Sequence, residues 1–480
     1  MGIPTIYPTG TTLFDPGKCW SGYTLFIARE TGCALVDMNG NVVHLWNGLH
    51  GFPTKLLPGG QVMGSLGVRS PRYGFMDYMD VVQVDWEGNV VWKFDQYEYI
   101  EDPGQEGMWM ARQHHDYQRE GSPVGYYAPG LAPLVEGGNT LILGHKDVKD
   151  PRISDKPLLD DVIYEVNWEG DIIWEWVCSE HFDEMDFSEA ARNALCRNPT
   201  MVVGKGEVGD WMHMNSISTL GPNRWYDQGD ERFHPDNIIW DGRQTNIIAI
   251  TDKESGRIVW QIGPDYDGSQ AVRELGWIIG QHHAHMIPRG LPGEGNILVF
   301  DNGGFSGYGS PNPGAPTGHN NALRDYSRII EFDPITLEVI WQYSYEEAGF
   351  LPKMNNSDFY SPLISSAQRL PNGNTLITEG SSGRIFEVTR GFEIVWEYVS
   401  PYYGINKNAN FVYRAYRVPY DWVPQLERPD EKEIPKLDRS RFRVPGSVWK
   451  PDEGVVEVEG TLPYPGPQLC VSKVAEPEDG

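Results

Sequence analysis

One phrase recurs six times along the chain, and no other feature restricts the fold as severely. A turn leads into two apolar residues and then an aromatic slot: DMNGNVVHLW (37–46), DWEGNVVWKF (85–94), NWEGDIIWEW (167–176), DKESGRIVWQI (252–262), DPITLEVIWQY (333–343) and TRGFEIVWEY (389–398). The slot holds His44, Trp92, Trp174, Trp260, Trp341 and Trp396, at spacings of 48, 82, 86, 81 and 55 residues. A second phrase, a turn followed by a short apolar strand, precedes most copies: LPGGQVMGS (57–65), EGGNTLILG (136–144), GEGNILVFDNG (293–303) and LPNGNTLITEG (370–380). A third short strand lies between the two phrases, as in VIYEV (162–166), RIIEF (328–332) and RIFEV (384–388). Short β-branched strands joined by turns make meanders whose faces must be covered by neighbours. Six such units cover one another by closing radially. The repeat therefore predicts an all-β fold, a six-bladed β-propeller over 1–424 with long inserted loops. The charged, proline-bearing segment 425–480 lacks the phrase and is expected to be a C-terminal extension wrapped on the ring. Gly 54, Pro 36 and 12% aromatics suit short strands and tight turns better than a helical bundle.

The long spacings exceed the ~40–50 residues of a typical blade, so insertions are expected at 95–112, 145–160, 177–212, 221–240 and 303–325. Within them, 177–197 is the best helix candidate, with Phe187, Ala190, Ala191 and Leu195 near a 3–4 period.

The formal net charge is −28, from 39 basic and 67 acidic residues. Such a field repels phosphate backbones and anionic membranes, which argues against nucleic-acid binding. An anionic substrate would need local positive charge. No stretch approaches the roughly 18 apolar residues of a membrane span. The start, MGIPTIYPTG, has neither a basic n-region nor an apolar h-region. A cytoplasmic location is expected as the sequence stands, or a periplasmic one if a signal peptide has been removed. Five cysteines form no CxxC; Cys19/Cys33 and Cys178/Cys196 are the pairs an oxidising compartment would allow, and reduced thiols are the simpler reading.

Twelve histidines are present, and six fall in RQHHDYQ (112–118), WMHMNSI (211–217) and GQHHAHMI (280–287), each at the first strand of a blade. Aligned on the strand that follows, with SSAQRLPNGNTLI (365–377) as ruler, His115, Asn215, His282 and Ser365 take equivalent positions. His213 shares the face of Asn215, two residues on. Innermost strands border the central channel, so these groups are expected to converge at the axis. A lone buried histidine usually satisfies backbone groups; three clusters in one register point instead to a site. His114, His283 and His285 have opposite parity and are expected to support the site or pack around it. Arg243, in DGRQTNIIAI, is the local cation an anionic substrate would require, or else a surface arginine in a turn.

Together these phrases resemble the bacterial aryl-sulfate sulfotransferase family, whose fold is a six-bladed propeller. The resemblance rests on GYTLF…LVDMNGNVVHLW (22–46), His114-His115-Asp116, His213-Met214-Asn215-Ser216, Arg243, and Gln281-His282 ahead of the strand Asn296–Gly303, and it covers roughly residues 12–420. It implies transfer of a sulfuryl group between phenolic compounds in two steps, without a nucleotide donor or other cofactor. His282 would be the nucleophile that is transiently sulfated, with His115, His213 and Arg243 completing the catalytic set. Asn215, His114, His283 and Ser365 are the candidate substrate-binding residues. Two other readings stay open. His115, His213, His282 and His283 could ligate a divalent transition metal (Zn, Fe, Cu or Mn) for hydrolytic, lyase or redox chemistry. The ring could also be a non-catalytic binding scaffold. The expected partner is a small aromatic (phenolic) substrate, and a homo-oligomer is compatible with the sequence.

Overall fold

The computed structural model describes residues 8–70, 76–199, 209–304, 306, 323–350, 356–404 and 409–436. Six antiparallel sheets of four or five strands follow one another around a ring. From the inside outward, the first blade comprises Ala415–Val418, Tyr23–Ala28, Gly32–Val36 and Val42–Asn47. The next two are His50–Leu57, Gln61–Ser65, Val81–Val84, Val90–Phe94, and Gln113–Arg119, Thr140–Val148, Leu158–Val166, Ile172–Val177. The fourth and fifth are Met214–Thr219, Ile238–Gly242, Ile247–Thr251, Ile258–Ile262, and His282–Met286, Ile297–Asp301, Arg328–Phe332, Val339–Tyr343. The sixth is Ser366–Arg369, Thr375–Glu379, Arg384–Val388 and Ile394–Val399, with Gly10–Phe14 added outside. The ring is thus closed twice: a late strand supplies the inside of the first blade, and the earliest strand extends the sixth.

The recurring phrase has a physical explanation. In each blade a tryptophan on the fourth strand counted from the inside donates its indole N–H to a carbonyl in the last turn of the next blade. These bonds run Trp46 to Asp85 (3.0 Å), Trp92 to Trp168 (3.0 Å), Trp174 to Lys253 (3.1 Å), Trp260 to Pro334 (2.9 Å), Trp341 to Arg390 (3.2 Å) and Trp396 to Met38 (2.8 Å). The last carries the chain of bonds from the sixth blade back to the first. In the first blade Trp46 makes this bond, two residues beyond the slot; His44 stacks on Trp86, with ring centroids 3.8 Å apart. Apolar layers fill the gaps between blades, as where Ile239, Ile248 and Ile250 meet Ile297, Val299 and Ile330.

Some insertions differ from expectation. Much of 145–160 is strand, because Thr140–Val148 and Leu158–Val166 stay paired as far as Val148 and Leu158. The helix candidate splits into a 3₁₀ turn, Cys178–Glu184, and a helix, Glu189–Arg197, started by a Ser188 side-chain cap. Its buried face carries Ala191, Ala194 and Leu195, while Ala190 is exposed. Most of the 303–325 insertion lies outside the described residues. Residues 437–480 lie outside the described residues. Residues 425–436 do run along the ring, with Ile434 pairing Phe14 in both directions at 2.9 Å. Cys19, Cys33, Cys178 and Cys196 are all free thiols, and Cys470 lies outside the described residues. No helix among the described residues is long and apolar enough to cross a membrane.

Candidate active site

Register places the site. The innermost ladders end in the pairs Leu57–Gln61, Arg119–Thr140, Thr219–Ile238, Met286–Ile297, Arg369–Thr375 and Val418–Tyr23. Four residues upstream of each inner member lie Pro53, His115, Asn215, His282, Ser365 and Arg414. Bulges interrupt four of these ladders just there. His115, His213, His283 and Ser365 adopt left-handed backbone, with φ of 54°, 53°, 59° and 92°. Such conformations cost non-glycine residues about 1–3 kcal/mol each and cluster where side chains must be aimed.

His115 and His213 come together, with ring centroids 4.5 Å apart in an edge-on arrangement. His213 donates from Nδ1 to Asp210 at 2.6 Å, which fixes its ring. Burial pushes the Asp210 carboxyl up, but His213 outweighs it and holds the group below its usual range. His115 lies 2.8 Å from His114, Nδ1 to Nδ1. Burial, followed by the charges His213, His114 and His282 would carry, holds His115 far below the ordinary imidazole range.

His282 is 2% exposed. Its Nδ1 meets the side-chain oxygen of Asn302 at 2.8 Å, and the Asn302 amide donates to the carbonyls of Ser361 and Ile364, both at 2.7 Å. Those two donor bonds orient Asn302, so its oxygen must accept and His282 must carry its proton on Nδ1. The lone pair is therefore on Nε2, where it accepts the Ile364 N–H at 3.1 Å. Burial first, then the Arg243 guanidinium, drives His282 well below its ordinary value despite the bond to Asn302. It is a neutral imidazole.

Arg243 begins the turn between the second and third strands of the fourth blade, its amide donating to the His213 carbonyl at 3.1 Å. It is 3% exposed, so the surface-turn reading does not hold. The neighbouring Asp241 faces the next blade, accepting from the Ala284 N–H at 2.9 Å, and burial pushes its carboxyl up to about 7. Asn215 donates to the Gln281 carbonyl at 2.7 Å, leaving its buried oxygen without a protein partner. Ser365 stands beside Ile364, but its hydroxyl is committed to Ser361 (2.8 Å) and the Gly380 N–H (3.0 Å). His283 lies in a different group, against His285 (4.4 Å) and Tyr416 (5.9 Å).

Arg414 was not singled out from the sequence. It donates to Asp116 at 2.8 Å and to the Asn215 carbonyl, and Lys55 binds the same Asp116 at 2.7 Å. Asp116 is thus shared by two buried basic side chains, Arg414 and Lys55. The missing signal was closure: GYTLF has no inner strand upstream, so one had to come from beyond the last repeat. Among the described residues, the three-residue group whose potential ligand atoms lie within 4.8 Å of one another is His114, His145 and Asp161. His115, His213, His282 and His283 are not members of that group.

The sequence profile of the arylsulfotransferase (ASST) family matches residues 132–401, more than half of the chain. The chain belongs to the arylsulfotransferase family. It is 24% identical over 237 residues to arylsulfate sulfotransferase AssT of Escherichia coli O6:H1 (strain CFT073). That match covers 42% of this chain and 34% of AssT, about a third of the relative's length. Among solved structures, a Bacteroides caccae protein of unknown function aligns over 83% of this chain and 99% of its own, at 9% identity and TM-score 0.42. Virginiamycin B lyase from Staphylococcus aureus aligns over 83% and 87%, at 10% identity and TM-score 0.33. At these scores the propeller assignment rests on the chain's own sheets.

Proposed function

We propose that this arylsulfotransferase-family protein moves a sulfuryl group from an aryl sulfate to a phenol through a covalent intermediate on His282. The observation that supports this most is the state of His282: a neutral imidazole with its proton held on Nδ1 by Asn302 and its lone pair on Nε2. In the first step Nε2 gives up the Ile364 N–H and bonds to sulfur as the aryl oxygen–sulfur bond breaks, giving N-sulfo-His282 and a phenolate that takes up a proton from solvent. In the second step an acceptor phenol loses its proton and its oxygen attacks sulfur, returning the lone pair to Nε2. Splitting one displacement into two lowers each barrier.

Charge grows on sulfuryl and phenolate oxygens along the way. Fixed donors around the axis suit that charge, and losing one such donor typically costs on the order of 10²–10³ in rate. Arg243 supplies a guanidinium beside His282, and His115 and His213 supply imidazole nitrogens from the third and fourth blades. Asn215 is the substrate-binding residue of the same proposal, whereas His114 behind His115, His283 against His285, and Ser365, whose hydroxyl and backbone N–H are both engaged, support the site from behind.

The test is steady-state transfer from 4-nitrophenyl sulfate to a phenol acceptor by the wild type and His282→Asn. Transfer by the wild type and its loss in a folded His282→Asn variant is the expected result. Full turnover by that variant would remove the assignment.

A further inference from the structure

Beside the axial histidines, the third blade carries three buried potential ligand atoms that no hydrogen bond satisfies. They are His114 Nε2, His145 Nε2 and Asp161 Oδ1, within 4.8 Å of one another. His114 Nε2 and Asp161 Oδ1 are 3.0 Å apart but are not aligned as donor and acceptor. The His114 and His145 rings are stacked, with centroids 3.7 Å apart and planes 12° from parallel, so the two nitrogens lie side by side and one ring must tilt for both lone pairs to meet a single ion.

Each ligand is held from behind. His145 donates from Nδ1 to Asp77 at 2.5 Å, which leaves its Nε2 as a lone pair. Asp77 is itself gripped by Arg69 (3.0 Å) and Arg112 (3.1 Å). Asp161 accepts the Met214 N–H on its other oxygen at 3.0 Å. His114 Nδ1 rests 2.8 Å from His115 Nδ1. An imidazole oriented by a carboxylate behind it is the usual backing of a metal ligand. Charge points the same way. Asp160, Asp161 and Asp210 are buried, and no lysine or arginine among the described residues forms an ion pair with any of them.

We propose that His114, His145 and Asp161 bind a divalent first-row transition ion through His114 Nε2, His145 Nε2 and Asp161 Oδ1. Two imidazoles and one carboxylate select such an ion over calcium or magnesium, which prefer all-oxygen sites. Ligation through His114 Nε2 leaves Nδ1–H as a donor toward His115. The ligand set is separate from His282, and the proposal does not depend on sulfuryl transfer.

The experiment is metal analysis of full-length protein dialysed against Zn²⁺ or Co²⁺ and then freed of excess ion. One ion per chain is expected, with visible d–d bands for Co²⁺ showing nitrogen ligation. His145→Ala and Asp161→Ala should lose the ion, whereas His282→Asn should keep it. Asp77→Asn should weaken binding by about 10–100-fold, the usual effect of removing a ligand's backing group. If the alanine variants fail to fold, anomalous scattering from Zn²⁺-loaded wild-type crystals decides: a peak between the three side chains supports the proposal. No retained ion, or an ion lost from His282→Asn but kept by His145→Ala and Asp161→Ala, overturns it.

Discussion

Replacing Asn302 probes the proposed nucleophile without touching it. The side chain is fully buried, accepts from His282 at 2.8 Å, and is oriented by two donor bonds of 2.7 Å. Asn302→Leu removes the acceptor that fixes the His282 proton on Nδ1. Losing one partner of a buried neutral hydrogen bond costs about 1–3 kcal/mol. At 1.36 kcal/mol per decade, the first-turnover burst of nitrophenol should slow by about 5- to 150-fold. The Ser361 and Ile364 carbonyls also lose their donor, so thermal unfolding must be followed in parallel to confirm that the variant is folded at the assay temperature. Asn302→Asp separates charge from geometry. It keeps an acceptor for Nδ1–H but sets a carboxylate beside the ring, which raises the His282 pKa. A raised pKa means the lone pair is lost at higher pH as acid is added, so the acid limb of the burst rate should move upward. A folded Asn302→Leu with an unchanged burst, together with an unshifted limb in Asn302→Asp, would refute the role given to this pair.

Other outcomes follow from the same geometry. In the wild type, burial and Arg243 depress the His282 pKa, so the ring stays unprotonated as pH falls through 6.5. The burst rate should hold there and fall only in stronger acid; an acid limb at or above 6.5 contradicts the assignment. Trp396→Phe deletes the bond that joins the sixth blade to the first, leaving the Met38 carbonyl without its 2.8 Å donor; a loss of about 1–3 kcal/mol is expected from urea unfolding. Arg414→Met breaks a buried ion pair with Asp116 and should cost about 3–5 kcal/mol of stability, again read from urea midpoints, with no change if the pair is dispensable.

The ring was legible because a single interaction repeats. Each phrase carries both halves of an inter-blade bond, the indole that donates and the turn that accepts, so the same residues recur once per blade. The inner-strand register was legible for a related reason: His115, Asn215, His282 and Ser365 each stand four residues before the last paired residue of their own inner strand. Arg414 obeys the same count, but its strand pairs with one some 390 residues away in sequence, through Val418 and Tyr23, so no adjacent turn marks where that strand ends. Hydrogen bonding was the least legible part. Sequence could place Ser365 at the axis but could not show its hydroxyl turned to Ser361, nor pair His145 and Asp161 with His114. Those contacts arise where the long Thr140–Val148 and Leu158–Val166 strands bring 145 opposite 161.

The account stands on a covalent bond between sulfur and one nitrogen. Incubation with 4-nitrophenyl sulfate alone, followed by rapid quench under alkaline conditions and peptide mass spectrometry, looks for that bond. A gain of about 80 Da, one SO₃, on the peptide carrying His282, discharged by adding a phenol, is the predicted result. Nitrophenol released with no added mass at His282, or with the mass on another residue, would contradict it.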